Sequence, residues 1–353
     1  ERLPIAVLSC GWGAADHPDP TAAQLQLLEP VLASIVQACD EQSKTCTWGI
    51  FWDFCCLPQR GHTNAAAAAS RGEDRSQEQL ERFNSAVRSV DSWYAHPFTT
   101  SLLLHWAMPV YEGYTRTQPC DGRGWCVTER ALSGLVKDDA CLLELREGLA
   151  DGAARPRQWG DLVKACKATR RPPLDPPAFE DKVRHGVASG ELVFGEAADE
   201  KLAIARYREG FVRAFANCAF VSYKGHGWGD DDARVLARTL EYAHGHSGLQ
   251  KLTRLGLSDN LIADEGVVAL ARALSLAGSF KELLTVDLFN NRVGDSGGRA
   301  LVELLDGEGV LPKFTGIQLE LNTMSMEVFN TVETAAARCW RRHHHGRSSA
   351  MHL

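Results

Sequence analysis

The chain has 353 residues, 44% of them hydrophobic and 24% charged, with a formal net charge of -7. That length accommodates two domains with separate cores, and the composition is that of an ordinary globular protein. The acidic excess argues against a general nucleic-acid binder, whose footprint is a basic stripe, and no run of about 18 or more apolar residues marks a membrane span.

The first strand is expected at Ile5–Ser9, a short apolar run of the kind buried on both faces of a parallel sheet. Thr21 then caps a helix with Leu25, Leu28, Leu32 and Val36 on its apolar face. A second strand, Trp48–Asp53, runs into Phe54-Cys55-Cys56-Leu57-Pro58-Gln59, and residues 60–75 form an alanine-rich surface insertion. Ser76 and Gln79 make a capping box for a helix carrying Leu80, Phe83, Val87 and Val90 inward. The third strand is Thr99–Leu104. After a loop rich in Gly, Pro and Tyr, a helix opens at Gly124 and runs to Lys137, followed by a fourth strand within Ala140–Leu145. Strands and helices in strict alternation predict a parallel, flavodoxin-like sheet over residues 1–150.

Residues 151–199 are expected to be a linker, with room for a short helix at Trp159–Ala168 and the proline-rich stretch Arg171–Pro177 as the boundary. A helix over Glu200–Phe215 then leads into a repeat. Leu252-x-x-Leu255-x-Leu257-x-x-Asn260-x-Ile262-x-Asp264-x-Gly266 recurs from Leu283 to Gly297, and again from Phe314 to Asn322. Asn260, Asn291 and Asn322 fall at a constant interval of 31 residues, and a degenerate first copy begins at Cys218. A unit of this length cannot bury its own apolar face. Stacked copies over 200–335 therefore predict a small α/β solenoid capped by the preceding helix. Alternate strand residues point to the open face, which places Gly256, Ser258, Asp287, Phe289, Gln318 and Glu320 where a protein partner would bind. The basic run in 336–353 reads as a disordered tail.

In an open parallel sheet, ligands bind beyond the carboxyl ends of the strands. Ser9–Trp12, Asp53–Gln59 and His105–Trp106 should converge there, with Glu129 near the start of the following helix. A carboxylate in a tryptophan-lined cleft suits stabilisation of an oxocarbenium-like ribosyl centre. Plainer roles compete. Glu129 can serve as a first-turn helix carboxylate and Asp53 can cap its own loop; Cys55, Cys56 and Cys126 can be small buried hydrophobes and His96 a turn residue. The 11 cysteines include no Cys-x-x-Cys pair, which favours reduced thiols in the cytoplasm over a disulfide framework or zinc ribbon.

Trp125-Cys126-x-x-Glu129 resembles the Trp-Cys-x-x-Glu motif of Toll/interleukin-1 receptor (TIR) domains. Trp52-Asp53-Phe54-Cys55-Cys56-Leu57-Pro58-Gln59 resembles the signature of heterokaryon-incompatibility domains, in which an Arg-x-Trp-x-x-x-Glu-like segment follows; Arg123–Glu129 fits that place. The repeats are similar to leucine-rich repeats of the ribonuclease-inhibitor type. The first resemblance implies a TIR-like fold and, in its enzymatic form, NAD as substrate with no required cofactor and no metal. Glu129 would then be the catalytic carboxylate, and Ser9, Trp12, Asp53 and Trp125 would shape the pocket. A non-catalytic adaptor, self-associating through the α/β domain and binding protein through the repeats, is the alternative.

Overall fold

The computed structural model describes residues 4–14, 17–42, 48–58, 75–104, 116, 118–145, 159–246, 248–276, 278 and 280–344. The alanine-rich insertion and the His105–Trp106 segment lie outside these residues. Two compact units emerge, one from residues 1–133, 139–168 and 180–210, the other from 134–138, 169–179 and 211–353.

The first unit is organised on four parallel strands, β1 (Ile5–Cys10), β2 (Gly49–Phe51), β3 (Thr99–Leu104) and β4 (Leu142–Glu144), in the order β2-β1-β3-β4. β1 and β3 pair along their whole length, from Ile5 opposite Thr99 to Cys10 opposite Leu104. Their side chains are buried almost throughout because helices cover the sheet, and Ala6, Leu8, Leu102, Leu104 and Leu143 pack with Leu28 and Val31 of α1 (Ala23–Gln42). Four expectations for this unit need correcting. Leu25 and Val36 of α1 are exposed, at 45% and 60%, because the face that meets the sheet is set by Leu28 and Val31. Asp19, not Thr21, closes the start of α1, its carboxylate accepting from the Leu25 N–H at 2.8 Å. Cys55 and Cys56, on the short α2 (Asp53–Cys56), are exposed rather than buried, since no other element covers that turn among the described residues. The helix after Gly124, α5 (Gly124–Ser133), stops four residues short of Lys137, at the helix-breaking Gly134.

The capping box forms as expected. Ser76 Oγ accepts from Gln79 N, and Gln79 Oε1 accepts from Ser76 N, at the start of α3 (Gln77–Arg88). α4 (Val90–Tyr94) follows directly and ends in a turn in which His96 Nδ1 accepts from Phe98 N.

Residues 159–199 do not behave as a linker. They form α6 (Trp159–Ala165) and α7 (Pro176–Ser189), and α8 (Ala197–Asn217) begins within them. The proline-rich stretch is drawn into the second unit because Arg170, only 3% exposed, donates to the carbonyls of Gly134, Lys137 and Ser222. Thr239 Oγ1 bonds the Pro173 carbonyl. Pro176 opens α7, where its missing N–H costs nothing, and Asp175 caps the helix by accepting from Ala178 N at 2.9 Å.

The second unit carries β5 (Phe220–Ser222), β6 (Arg254–Gly256), β7 (Thr285–Asp287) and β8 (Gly316–Gln318), parallel and in sequential order. Each is followed by a helix: α9 (Asp230–Gly245), α10 (Asp264–Leu274), α11 (Asp295–Asp306) and α12 (Met326–His344). The asparagines of the repeat explain the period. Asn291 Nδ2 donates to Leu257 O and Leu288 O, and its Oδ1 accepts from Ile262 N, so one side chain ties two successive turns together. Asn260 and Asn322 do the same one repeat away on each side. The aspartates form a second ladder: Asp230 caps the amides of Ala263 and Gly266, Asp264 those of Gly294 and Gly297, and Asp295 that of Ser325. The starts of α10, α11 and α12 are thus closed by the carboxylate of the preceding repeat. α12 extends to His344, so residues 336–344 are helical and not tail. Arg338 forks onto Asp306, and Arg342 caps the carbonyls of Leu305, Asp306 and Gly307 at the end of α11. Among the described residues, no helix is long and apolar enough to cross a membrane.

Candidate functional site

The order of the first sheet reverses between β1 and β3, and ligands in open parallel sheets lie beyond the carboxyl ends of the strands at such a point. Ser9 is the penultimate residue of β1 and is fully buried. Its hydroxyl donates to Glu129 Oε2 at 2.7 Å. Glu129 is the sixth residue of α5, beyond the first turn, so it is not a helix-capping carboxylate. The helix instead projects it onto the end of β1.

A second polar pair stands beside the first. Trp12 Nε1 donates to Asp53 Oδ2 at 3.1 Å, while Asp53 Oδ1 accepts from Phe54 N at 2.7 Å. Asp53 therefore closes its own turn, as its position after β2 leads one to expect, and also holds the Trp12 indole. Trp12 packs edge-on to Phe54 at 5.7 Å, and His17 leans on the same ring at 4.6 Å.

Both carboxyls are shifted. Burial drives Glu129 well above the ordinary carboxylate range, reinforced by the negative charge of Asp53; the Ser9 hydroxyl pulls the other way and does not win. Burial likewise raises Asp53, against the donors Phe54 N and Trp12 Nε1. A like charge beside a desolvated carboxyl disfavours its ionisation, and at Glu129 the Asp53 charge adds to burial in that direction. Such perturbed pairs concentrate at functional sites, although structural networks also produce them.

Trp125 lies one turn before Glu129 on the same side of α5, half-buried and edge-on to Phe194 at 6.4 Å. The segment around Phe194 straps the start of α5: Gly124 N donates to Val193 O and Val193 N to Gly122 O. A Cβ at Gly124 would sit 2.1 Å from the Phe194 ring, which is why glycine stands there.

Sequence reasoning gave no role to two residues of the site: Tyr94, which no pattern marks, and Arg123, which enters only as the first position of the Arg-x-Trp-x-x-x-Glu-like segment. Tyr94, at the end of α4, is 1% exposed; its hydroxyl donates to Leu8 O at 2.7 Å and lies beside the Glu129 carboxyl. Arg123 spreads its guanidinium over the carbonyls of Trp12, Arg116 and Gln118. Tyr94 reaches Leu8 across 86 residues and Arg123 reaches Trp12 across 111, beyond any local pattern. Cys126 is buried as expected, and hydrogen bonding with Cys120 together with burial holds its thiol protonated. The described cysteines are all free, and no group of metal-ligating side chains occurs among the described residues.

The open face of the repeat sheet needs correction at two positions. Gly256 is buried and Ser258 is 2% exposed, because these small residues in the second repeat lie below their longer neighbours in adjoining repeats. Asp287 and Phe289 are half-buried, and Asp287 Oδ1 accepts from Phe289 N. Gln318 and Glu320 are exposed. A separate groove of about 670 Å³ runs between α9 and α10, lined by Arg234, Arg238, Arg272, Glu241 and Glu265. It is a charged surface furrow of the repeat helices and contains none of the residues described above.

Comparison with curated proteins gave no match. The Leucine Rich repeat family matches residues 248–271 and 283–302, which cover most of the second and third repeats.

Proposed function

We propose that the N-terminal unit is a TIR-like or heterokaryon-incompatibility-like effector of a cytoplasmic signalling or defence protein, cleaving NAD through Glu129. The leucine-rich repeat would serve as its protein-binding module. The observation that carries this reading is the placement of Glu129: a desolvated carboxyl 2.7 Å from Ser9 Oγ, beside the Trp12–Asp53 pair.

In the reaction, the bond between ribose C1′ and the nicotinamide nitrogen breaks. Its electron pair leaves with the ring, which departs as neutral nicotinamide. The C1′ centre becomes oxocarbenium-like, and a carboxylate stabilises it before water adds and releases a proton. Glu129 must ionise for this role. The positive pyridinium of bound NAD lowers its pKa by the same electrostatic logic by which Asp53 raises it. Ser9 keeps the carboxyl oriented, Asp53 supplies a second negative charge, and Trp12 and Trp125 provide aromatic walls.

The test is nicotinamide release from NAD by the purified chain, clustered and unclustered, against Glu129→Gln. Loss of turnover on substitution is the expected result. Absence of turnover in the wild type under both conditions, or full activity of the variant, overturns the reading.

A second reading, the non-catalytic adaptor, draws on the fact that Ser9 and Glu129 satisfy one another without a ligand. In that case self-association of the α/β unit and partner binding at Asp287, Phe289, Gln318 and Glu320 carry the function. Both would survive Glu129→Gln.

A further inference from the structure

The carbonyls of Trp12, Arg116 and Gln118 belong to two loops separated by about a hundred residues of chain. One guanidinium gathers them: Arg123 Nε donates to Gln118 O at 2.8 Å, one terminal nitrogen to Arg116 O at 2.9 Å, and the other to Trp12 O. A planar fork with several fixed donors can do this; an ammonium on a flexible stem has one point of attachment and cannot reproduce the geometry. The same site dictates a glycine. A Cβ at Gly11 would come within 3.1 Å of the guanidinium carbon, so the loop after β1 approaches Arg123 as closely as it does only because residue 11 has no side chain. A further backbone bond, Arg116 N to Gly13 O at 2.9 Å, locks the two loops together beside it.

What this fixes is the residue between those anchors. Trp12 holds its indole N–H 3.1 Å from Asp53 Oδ2, and its carbonyl is the one Arg123 grips. All three Arg123 nitrogens donate to backbone carbonyls and neither carboxyl is among these partners; its reach ends on the backbone.

From this geometry we infer that Arg123 is the positioning residue of the cleft: it clamps the loop after β1 so that Trp12 presents its indole donor to Asp53. The role rests on the proposed ligand cleft, but it can be measured without a ligand. Removal of the Trp12 donor should raise the Asp53 titration midpoint, because that donor stabilises the carboxylate. The groups facing Asp53 electrostatically, namely Glu129, Cys10, Tyr94 and Cys55, remain in place in every variant.

The experiment follows the Asp53 carboxyl carbon by NMR through a pH titration of the full chain, in wild type, Arg123→Lys, Trp12→Phe, the double variant and Gly11→Ala. The expected result is an upward shift in Arg123→Lys, a similar shift in Trp12→Phe, and no further shift when the two are combined. Gly11→Ala, which keeps Arg123 but crowds it, should move the midpoint in the same direction and guards against an effect of the lysine alone. Where NAD is cleaved, kcat/KM should fall about tenfold in Arg123→Lys, through kcat rather than KM, as expected for lost orientation. An unmoved Asp53 midpoint in Arg123→Lys alongside a moved one in Trp12→Phe overturns the inference, as do additive shifts in the double variant. A coupled shift in a chain that does not cleave NAD upholds the clamp and defeats only the enzymatic reading.

Discussion

The chain builds a four-stranded parallel sheet twice, and the two obey different rules. In the repeat unit the strands lie in sequential order, each one repeat from the next, and every buried turn is satisfied by an asparagine or aspartate at a fixed spacing. In the N-terminal unit the order is β2-β1-β3-β4, and β1 pairs with a strand more than ninety residues away. The repeat uses its evenly spaced polar side chains to close backbone groups. The N-terminal sheet leaves carboxyls at its strand ends, where burial raises both and the charge of Asp53 raises Glu129 further. A periodic scaffold satisfies its polar groups locally; a crossed-over sheet collects side chains from distant segments at one edge, and that is where chemistry can be assembled.

The most severe test of this contrast is Asn291→Ala. The substitution strands Ile262 N, Leu257 O and Leu288 O in a buried turn, and should cost about 2–4 kcal/mol, read as a lowered denaturant midpoint by circular dichroism. A loss below 1 kcal/mol, on the order expected of an exposed site, would mean that the ladder is dispensable. Gly124→Ala comes next. Its methyl would drive into the Phe194 ring, and about 1–3 kcal/mol of overpacking is expected in thermal melts.

Glu129→Gln should have a smaller effect, and one that depends on pH. The folded-state pKa of Glu129 lies well above its unfolded value. Its contribution to stability is therefore greatest below the unfolded carboxylate pKa and declines as pH rises through the folded one. The glutamine variant cannot ionise, so it should flatten that decline and be at least as stable as wild type at neutral pH. A steeper fall in the variant would contradict the burial-driven shift. The smallest effect is expected for paired charge reversal at Asp287 and Glu320, about 1 kcal/mol or less in stability, chiefly from the lost bond between Asp287 and Phe289 N. That pair should nevertheless abolish partner capture if the open face is the binding surface; unchanged capture moves the interface elsewhere.

Much of the architecture could be read in advance. β3 was legible to the residue, as was the Ser76–Gln79 box, because both depend on a few adjacent side chains. The asparagine period located the repeats, since one residue type at a constant interval reports a stacked contact directly. Burial was less readable. Leu25 and Val36 satisfy a helical apolar period yet face outward, and Ser258 fits the outward alternation yet is covered. Periodicity assigns residues to faces; it does not say which face is met by another element. The proline-rich stretch differs for a related reason: its composition reads as linker, but Arg170 beside it anchors to the carbonyls of Gly134, Lys137 and Ser222, and Thr239 satisfies the Pro173 carbonyl.

For the candidate site, the sequence by itself determined the residue types and the strand ends on which they fall: Ser9 after an apolar run, Asp53 at the close of the second, Trp125 and Glu129 four apart. Tertiary structure alone decided that Ser9 and Glu129 touch, that Trp12 belongs to Asp53, that Tyr94 stands beside them, that Arg123 grips the loop carrying Trp12, and that burial raises the Glu129 carboxyl. The reason is physical. Spacing along the chain fixes local hydrogen bonds and faces, whereas the distance between two side chains 120 residues apart, and the water excluded from between them, exist only once the sheet has closed.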